Sequence, residues 1–266
     1  MRRSPVVANQ FYPGDPDILR NTLAHLIPGS KREKKKAVAV VSPHAGYVYS
    51  GGVAGETFSE VAIPENVIIL GPNHHGHGAP IAMMNEGEWD MPLGRVPINQ
   101  ELAALIDDPM IEADDVAHRY EHSLEVQVPF LQYLQENLNI VPLVISHIPY
   151  SLCLSTGKAL ARAIRAYQKP VLLVASTDMT HYEPRQSASR KDHLALSHLQ
   201  NLDPEGLYAT VTGQRISMCG IMPTTVALLA ALELGATKTE LVRYTDSGAV
   251  SGDTDHVVGY AGLVIM

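Results

Sequence analysis

Val67-Ile68-Ile69-Leu70-Gly71-Pro72-Asn73-His74-His75 is an apolar run that ends in glycine, proline, asparagine and two histidines. Short continuous runs of β-branched and aliphatic residues read as strands buried on both faces, as in a parallel sheet. The same reading applies twice more. Ala37-Val38-Ala39-Val40-Val41-Ser42-Pro43 leads to His44, and Val171-Leu172-Leu173-Val174-Ala175-Ser176-Thr177-Asp178 leads to His181. In open α/β sheets the carboxyl ends of the strands border the crevice where ligands bind. Three strands therefore deliver imidazoles and one carboxylate to one sheet edge, which points to a metal or acid–base site.

Working outward, strand-like runs alternate with helical patterns. Asp15-Pro16 starts a helix with an N-cap carboxylate and a first-turn proline, and Ile18, Leu19, Leu23 and Leu26 follow at helical spacing. Helices are expected over 51–61, 99–106, 122–138, 155–167 and 223–234, the last strongly apolar and packed beneath the sheet. Pro129 should kink the 122–138 helix or delay its start. Strands are expected over 140–145 and 257–265, and the turn-rich segment 85–98 suits a hairpin. No linker, composition shift or repeat divides the succession. It implies one α/β domain over residues 1–266, with a mostly parallel or mixed sheet and helices on both faces.

The 266 residues are 45% hydrophobic and 18% charged, enough for a substantial core. A net charge of -8 argues against non-specific nucleic-acid binding, since polyanions are repelled. The basic run Lys31-Arg32-Glu33-Lys34-Lys35-Lys36 reads as a solvated loop. No apolar stretch approaches the ~18 residues that span a bilayer, and the first ten residues lack the apolar segment of a signal peptide. A cytoplasmic protein is the expectation. Two cysteines cannot make a disulfide framework, and Cys153 reads as a small buried hydrophobe.

His44 is followed by Gly46, Gly51 and Gly52, which let the backbone approach a ligand closely. Of His74, His75 and His77, one is expected to be a ligand and another to orient it, with His77 on the surface. Asp178 and His181 lie three apart; a helix there would make them an orienter and base on one face. Otherwise Asp178 caps the next element. His122 is placed to serve the site, and Glu125 to suit a helix dipole. Cys219, near a helix start, is expected to have a lowered pKa and to be available as a thiolate. Two imidazoles with a thiolate or carboxylate make a workable transition-metal site. Phosphate-loop, dinucleotide, His-Glu-x-x-His and Gly-x-Ser-x-Gly patterns are absent.

Several stretches together resemble the Memo family, which includes the protein B partner of an operon with a radical-SAM protein. They are Phe11-Tyr12-Pro13-Gly14, Ser42-Pro43-His44-Ala45-Gly46-Tyr47, Leu70-Gly71-Pro72-Asn73-His74-His75, Trp89-Asp90-Met91-Pro92-Leu93-Gly94, Glu121-His122-Ser123-Leu124-Glu125, Ser176-Thr177-Asp178-Met179-Thr180-His181 and Cys219-Gly220. The resemblance implies the fold of class III extradiol dioxygenases, a sheet flanked by helices with a metal at one end. It implies His44, His74 and Cys219 as metal ligands and His181, beside Asp178, as the acid–base residue. Tyr49 and Arg185 fall in the same pocket, with His122 as a further substrate contact. The dioxygenases carry a glutamate as third ligand; a cysteine softens the site, favouring copper or zinc or tuning iron differently, and the implied cofactor is iron or copper, with zinc also compatible. The implied function is that of a dioxygenase-like, metal-dependent oxidoreductase. The alternative is a binding module that captures a peptide or phosphorylated ligand, as animal members of the family are described as doing. As partners the resemblance implies a radical-SAM protein and an AMMECR-type protein of the same operon.

Overall fold

Aliphatic runs that must hide both faces form the middle of a nine-stranded mixed sheet in the computed structural model, which describes residues 1–29 and 33–266. Lys31 and Arg32 of the basic run lie outside the described residues. The strands, in chain order, are β1 (Arg2–Arg3), β2 (Ala39–Ser42), β3 (Asn66–Pro72), β4 (Ile81–Met83), β5 (Glu88–Met91), β6 (Gly94–Pro97), β7 (Glu112–Ala113), β8 (Asn139–Ile145), β9 (Val171–Ser176), β10 (His181–Glu183), β11 (Thr239–Asp246) and β12 (Val257–Ile265). The helices are α1 (Pro16–Leu26), α2 (Tyr47–Ser59), α3 (Gln100–Leu105), α4 (Val128–Leu134), α5 (Tyr150–Tyr167), α6 (Arg185–Gln200), α7 (Pro204–Gly213), α8 (Ile221–Glu233) and α9 (Gly248–Ser251).

Strands β2, β9, β3 and β8 lie parallel in that spatial order. β12 joins β2 antiparallel, with β10 and β11 antiparallel to β12; on the other side β4 pairs antiparallel with β8 and parallel with β7. Side chains alternate between faces along a strand. Val40, Ile69 and Val174 therefore meet Leu23, Phe58 and Phe130 in one core. Val41, Leu70 and Ala175 meet Leu160, Leu196 and Val226 in the other. Covering both faces is what requires the strands to be apolar throughout. Register then positions the site: Ser42 lies opposite Ser176, and Leu70 opposite Ala175. The chain leaving these three strands emerges side by side, carrying His44, Asp178 and His74.

Local signals largely hold. Asp15 accepts hydrogen bonds from the N–H groups of Asp17 and Ile18 at the start of α1. Residues 88–97 form the β5–β6 hairpin, to which β1 adds a parallel strand. Pro129 does delay its helix: a 3-10 turn, Glu125–Gln127, precedes α4, whose first turn contains the proline. Helices α2 and α5 begin earlier than expected, at Tyr47 and Tyr150. Glu125 lies in the first turn, yet its carboxylate, fully buried, is engaged by the N-terminal segment rather than left to the helix dipole. It accepts from the N–H groups of Val6 and Val7 and from the Tyr12 hydroxyl, and pairs with Arg3. Among the described residues no helix is long and apolar enough to cross a membrane.

Candidate metal centre

His44 follows β2, and its orientation can be traced through its partners. The Ser176 hydroxyl donates to the Ser123 carbonyl at 2.7 Å. It therefore accepts from His44 Nδ1 at 2.9 Å, and Gln127 Nε2 donates to it as well at 2.8 Å. With Nδ1 carrying the proton, His44 Nε2 keeps a lone pair. His74 is fixed in the same way by Glu121, which accepts from His74 Nδ1 at 2.8 Å and from its backbone N–H at 2.7 Å. A carboxylate can only accept, so His74 Nε2 is also the free nitrogen. The loop carrying Glu121 and His122 comes this close because Gly71 has no side chain: a Cβ there would lie 2.4 Å from Leu124 Cδ1.

His122 stacks on His74 with ring centroids 4.7 Å apart and meets His44 edge-on at 5.5 Å. One donor nitrogen from each of His44, His74 and His122 lies within 4.8 Å of the others. Cys219 Sγ sits 3.3 Å from His44 Nε2 and accepts from the Asp178 N–H at 3.2 Å. Asp178 in turn accepts from the His44 N–H at 2.8 Å. The group opens into a cleft of about 630 Å³.

Burial favours neutral, donor-capable rings at His44 and His122, whereas Glu121 favours the charged form of His74. Burial, reinforced by His122 and His74, holds His44 well below the ordinary imidazole range. Burial likewise lowers His122 to about 4. Burial opposes charge on His74 too, but the Glu121 carboxylate bonded to its Nδ1 outweighs it and raises that pKa. Burial would raise Glu121, yet its bond to His74 keeps it well below the carboxylate range. Asp178 is raised by burial, partly offset by the His44 N–H.

His181 and Asp178 both border the cleft, as does Tyr49. The segment after Asp178 does not turn into a helix but into β10, so the expected shared helical face does not form. His181 is instead held by Ser217, whose carbonyl accepts from Nδ1 at 2.8 Å and whose hydroxyl accepts from the N–H at 2.8 Å. Arg185 is not among the cleft-lining residues; both prongs of its guanidinium rest on Asp246 at 2.7 Å. His75 donates to the Tyr120 carbonyl and stacks against exposed His77 at 5.8 Å. Neither of them orients His74; Glu121 does. The Cys219 thiol is pushed up, by burial and by Asp178, where a helix start alone would lower it. Cys153 is fully buried in the core. Glu121, Ser176, Gln127 and Phe11, whose ring meets His122 at 4.9 Å, are site residues that spacing alone does not single out.

The arrangement defines a class first: an α/β protein with a cluster of anchored imidazoles at the carboxyl edge of a mixed sheet. The family model described as Memo-like protein matches residues 3–264, and the chain belongs to the Memo family. It is 40% identical over 266 residues to a MEMO1 family protein of Aquifex aeolicus, covering 99% of both chains. A MEMO1 family protein of Methanopyrus kandleri is 41% identical over 279 residues, with the same coverage. A solved structure of an uncharacterized protein from Escherichia coli K12 superposes with a TM-score of 0.52 at 16% identity, over 83% of this chain and 98% of that one. That likeness shows the fold alone.

Proposed function

We propose that the cleft holds one transition-metal ion on His44 and His74, completed by Cys219 or His122, and that the protein is a dioxygenase-like, metal-dependent oxidoreductase of small molecules. The observation that carries this is the convergence of three imidazole nitrogens within 4.8 Å, with His44 and His74 each anchored through Nδ1. Anchoring of the far ring nitrogen by a hydroxyl or carboxylate is how metal-binding histidines are commonly oriented. The donors fit such an ion, because imidazoles and a cysteine sulfur suit iron, copper and zinc. When bound, the ion supplies a Lewis-acid or redox centre with open positions. His181, anchored through Nδ1, holds or moves a proton at Nε2. Capture of a phosphorylated ligand has less support, because Arg185 is engaged by Asp246 and, among the described residues, no lysine or arginine lines the cleft.

Elemental analysis of anaerobically purified protein tests the reading. Iron or copper should be present near one per chain on the order expected of a single site. His44→Ala and His74→Ala should lose it, Glu121→Gln should weaken affinity about 10–100-fold, and Cys219→Ser compared with His122→Ala decides which of the two completes the ligand set. His181→Ala should keep the metal yet slow oxygen uptake with a catechol panel by about 10²–10⁴-fold. Wild-type protein that neither retains nor takes up a transition metal would overturn the proposal.

A further inference from the structure

The outer half of the cleft contains a second pattern that the metal reading does not use. Tyr182 stands at the mouth, 74% exposed, with a backbone φ of 56°. Left-handed backbone in a bulky residue is uncommon and persists only where its surroundings impose it. Here the β10–β12 ladder does so: its register shifts between His181 and Glu183, leaving Tyr182 as the irregular residue. Such irregularities re-aim side chains beside binding sites. The Tyr182 ring borders the cleft and belongs to neither core. Tyr49, 42% exposed on the first turn of α2, and the buried Tyr260 border the same opening.

The charge of this half is one-sided. Among the described residues no lysine or arginine lines the cleft, while Asp253 does. Asp253 Oδ1 accepts from the N–H groups of Asp255 and His256, which hold its carboxyl below the ordinary range. The imidazole of His256 lies 3.9 Å from its second oxygen. Arg185, next to this loop, is neutralised by Asp246.

We infer that Tyr49, Tyr182 and Asp253 form a subsite for a cationic group, an ammonium or quaternary amine, on a small ligand whose other end faces the histidines. Tyrosine faces attract cations through the ring quadrupole, and a fixed carboxylate adds direct attraction. The inference deepens the proposed function and rests on the cleft being a ligand site.

Three matched phenols test it by calorimetry at pH 8 on the metal-loaded full chain: tyramine, 4-ethylphenol and 3-(4-hydroxyphenyl)propionate. Tyramine should bind about 10-fold more tightly than the propionate, the range open to a cation–π contact plus a carboxylate. Asp253→Asn and Tyr182→Ala should each reduce that ratio to about 3-fold or less with the unfolding temperature little changed, since both side chains are exposed. Equal binding of the charged pair, or a ratio that survives both substitutions, overturns the subsite. If 4-ethylphenol still binds in that case, the metal-site reading stands alone. No binding by any of the three overturns the subsite and the reading of the cleft as a small-molecule site, while retention of metal is judged separately by elemental analysis.

Discussion

Each wall of the cleft is braced by an arginine and a carboxylate, and the two braces sit in different solvents. Behind the inner wall, Arg3 donates to the carbonyls of His118 and Glu121 at 2.7 Å and pairs with Glu125 at 2.8 Å. Its guanidinium lies 4.2 Å from the centroid of Trp89, and the paired side chains are 5% and 0% exposed. On the outer wall, Arg185 pairs with Asp246 at 2.7 Å, with 42% and 12% exposure, and its N–H donates to the Thr254 carbonyl. A buried pair tolerates no missing partner, because the charge left behind has no water. An exposed one is replaced by solvent at little loss. The inner wall, which presents His74 and His122, is therefore held in one geometry, while the outer wall can yield to whatever ligand enters.

That contrast can be broken most sharply at Arg3. Arg3→Ala should destabilise the fold by about 3–5 kcal/mol in urea unfolding, because it strands buried Glu125. A loss below about 1 kcal/mol would erase the distinction between the walls. Acid is the next probe. His118 is buried behind the inner wall, and its Nε2 donates to the Ala82 carbonyl at 3.1 Å. Burial, then Arg3, lowers its pKa to about 4. The unfolded chain takes this proton first as pH falls, so the stability tied to neutral His118 is complete above about pH 6.5 and is lost towards pH 4. The difference is roughly 3 kcal/mol, visible as a fall in unfolding temperature that His118→Gln should flatten. Arg185→Ala should lower the urea midpoint far less than Arg3→Ala does, and less still in molar salt. Smallest and opposite in sign, Tyr182→Gly should gain up to about 1 kcal/mol by relieving its left-handed backbone. An unchanged unfolding temperature would mean that the outer wall stores no strain.

The features legible in the sequence are those carried by short-range pattern. The apolar runs of β2, β3 and β9 show in their composition because burial on both faces leaves no room for polar residues. The histidines at their ends are therefore readable as a group. β11 escapes the same reading: Thr239-Glu240-Leu241-Val242-Arg243-Tyr244-Thr245-Asp246 is only half-buried, so charged residues interrupt it. Helix α6 has too few apolar residues to announce a face, with Arg190, Lys191 and Asp192 in its middle. Glu121 and Arg3 are unreadable for another reason. Glu121 acts on His74, 47 positions earlier, and Arg3 grips the carbonyl of Glu121 from 118 positions away. Only the assembled fold defines those roles. Cys219 shows the opposite failure, where a local rule about helix starts is overruled by burial, with the carboxylate of Asp178 adding to it.

The sheet order also sets a timetable for biosynthesis. β2, which leads into His44, is flanked by β9 and β12. Its neighbours thus lie more than a hundred residues further along the chain, and neither has been made when β2 leaves the ribosome. Pairings this distant in sequence close slowly, since a long loop must be immobilised before any contact rewards it. While translation continues, the apolar edge of β2 waits uncovered, as chaperone-binding and aggregation-prone segments do. A ribosome-stalled chain ending before Val257 should therefore expose β2 to protease, and extension through β12 should protect it.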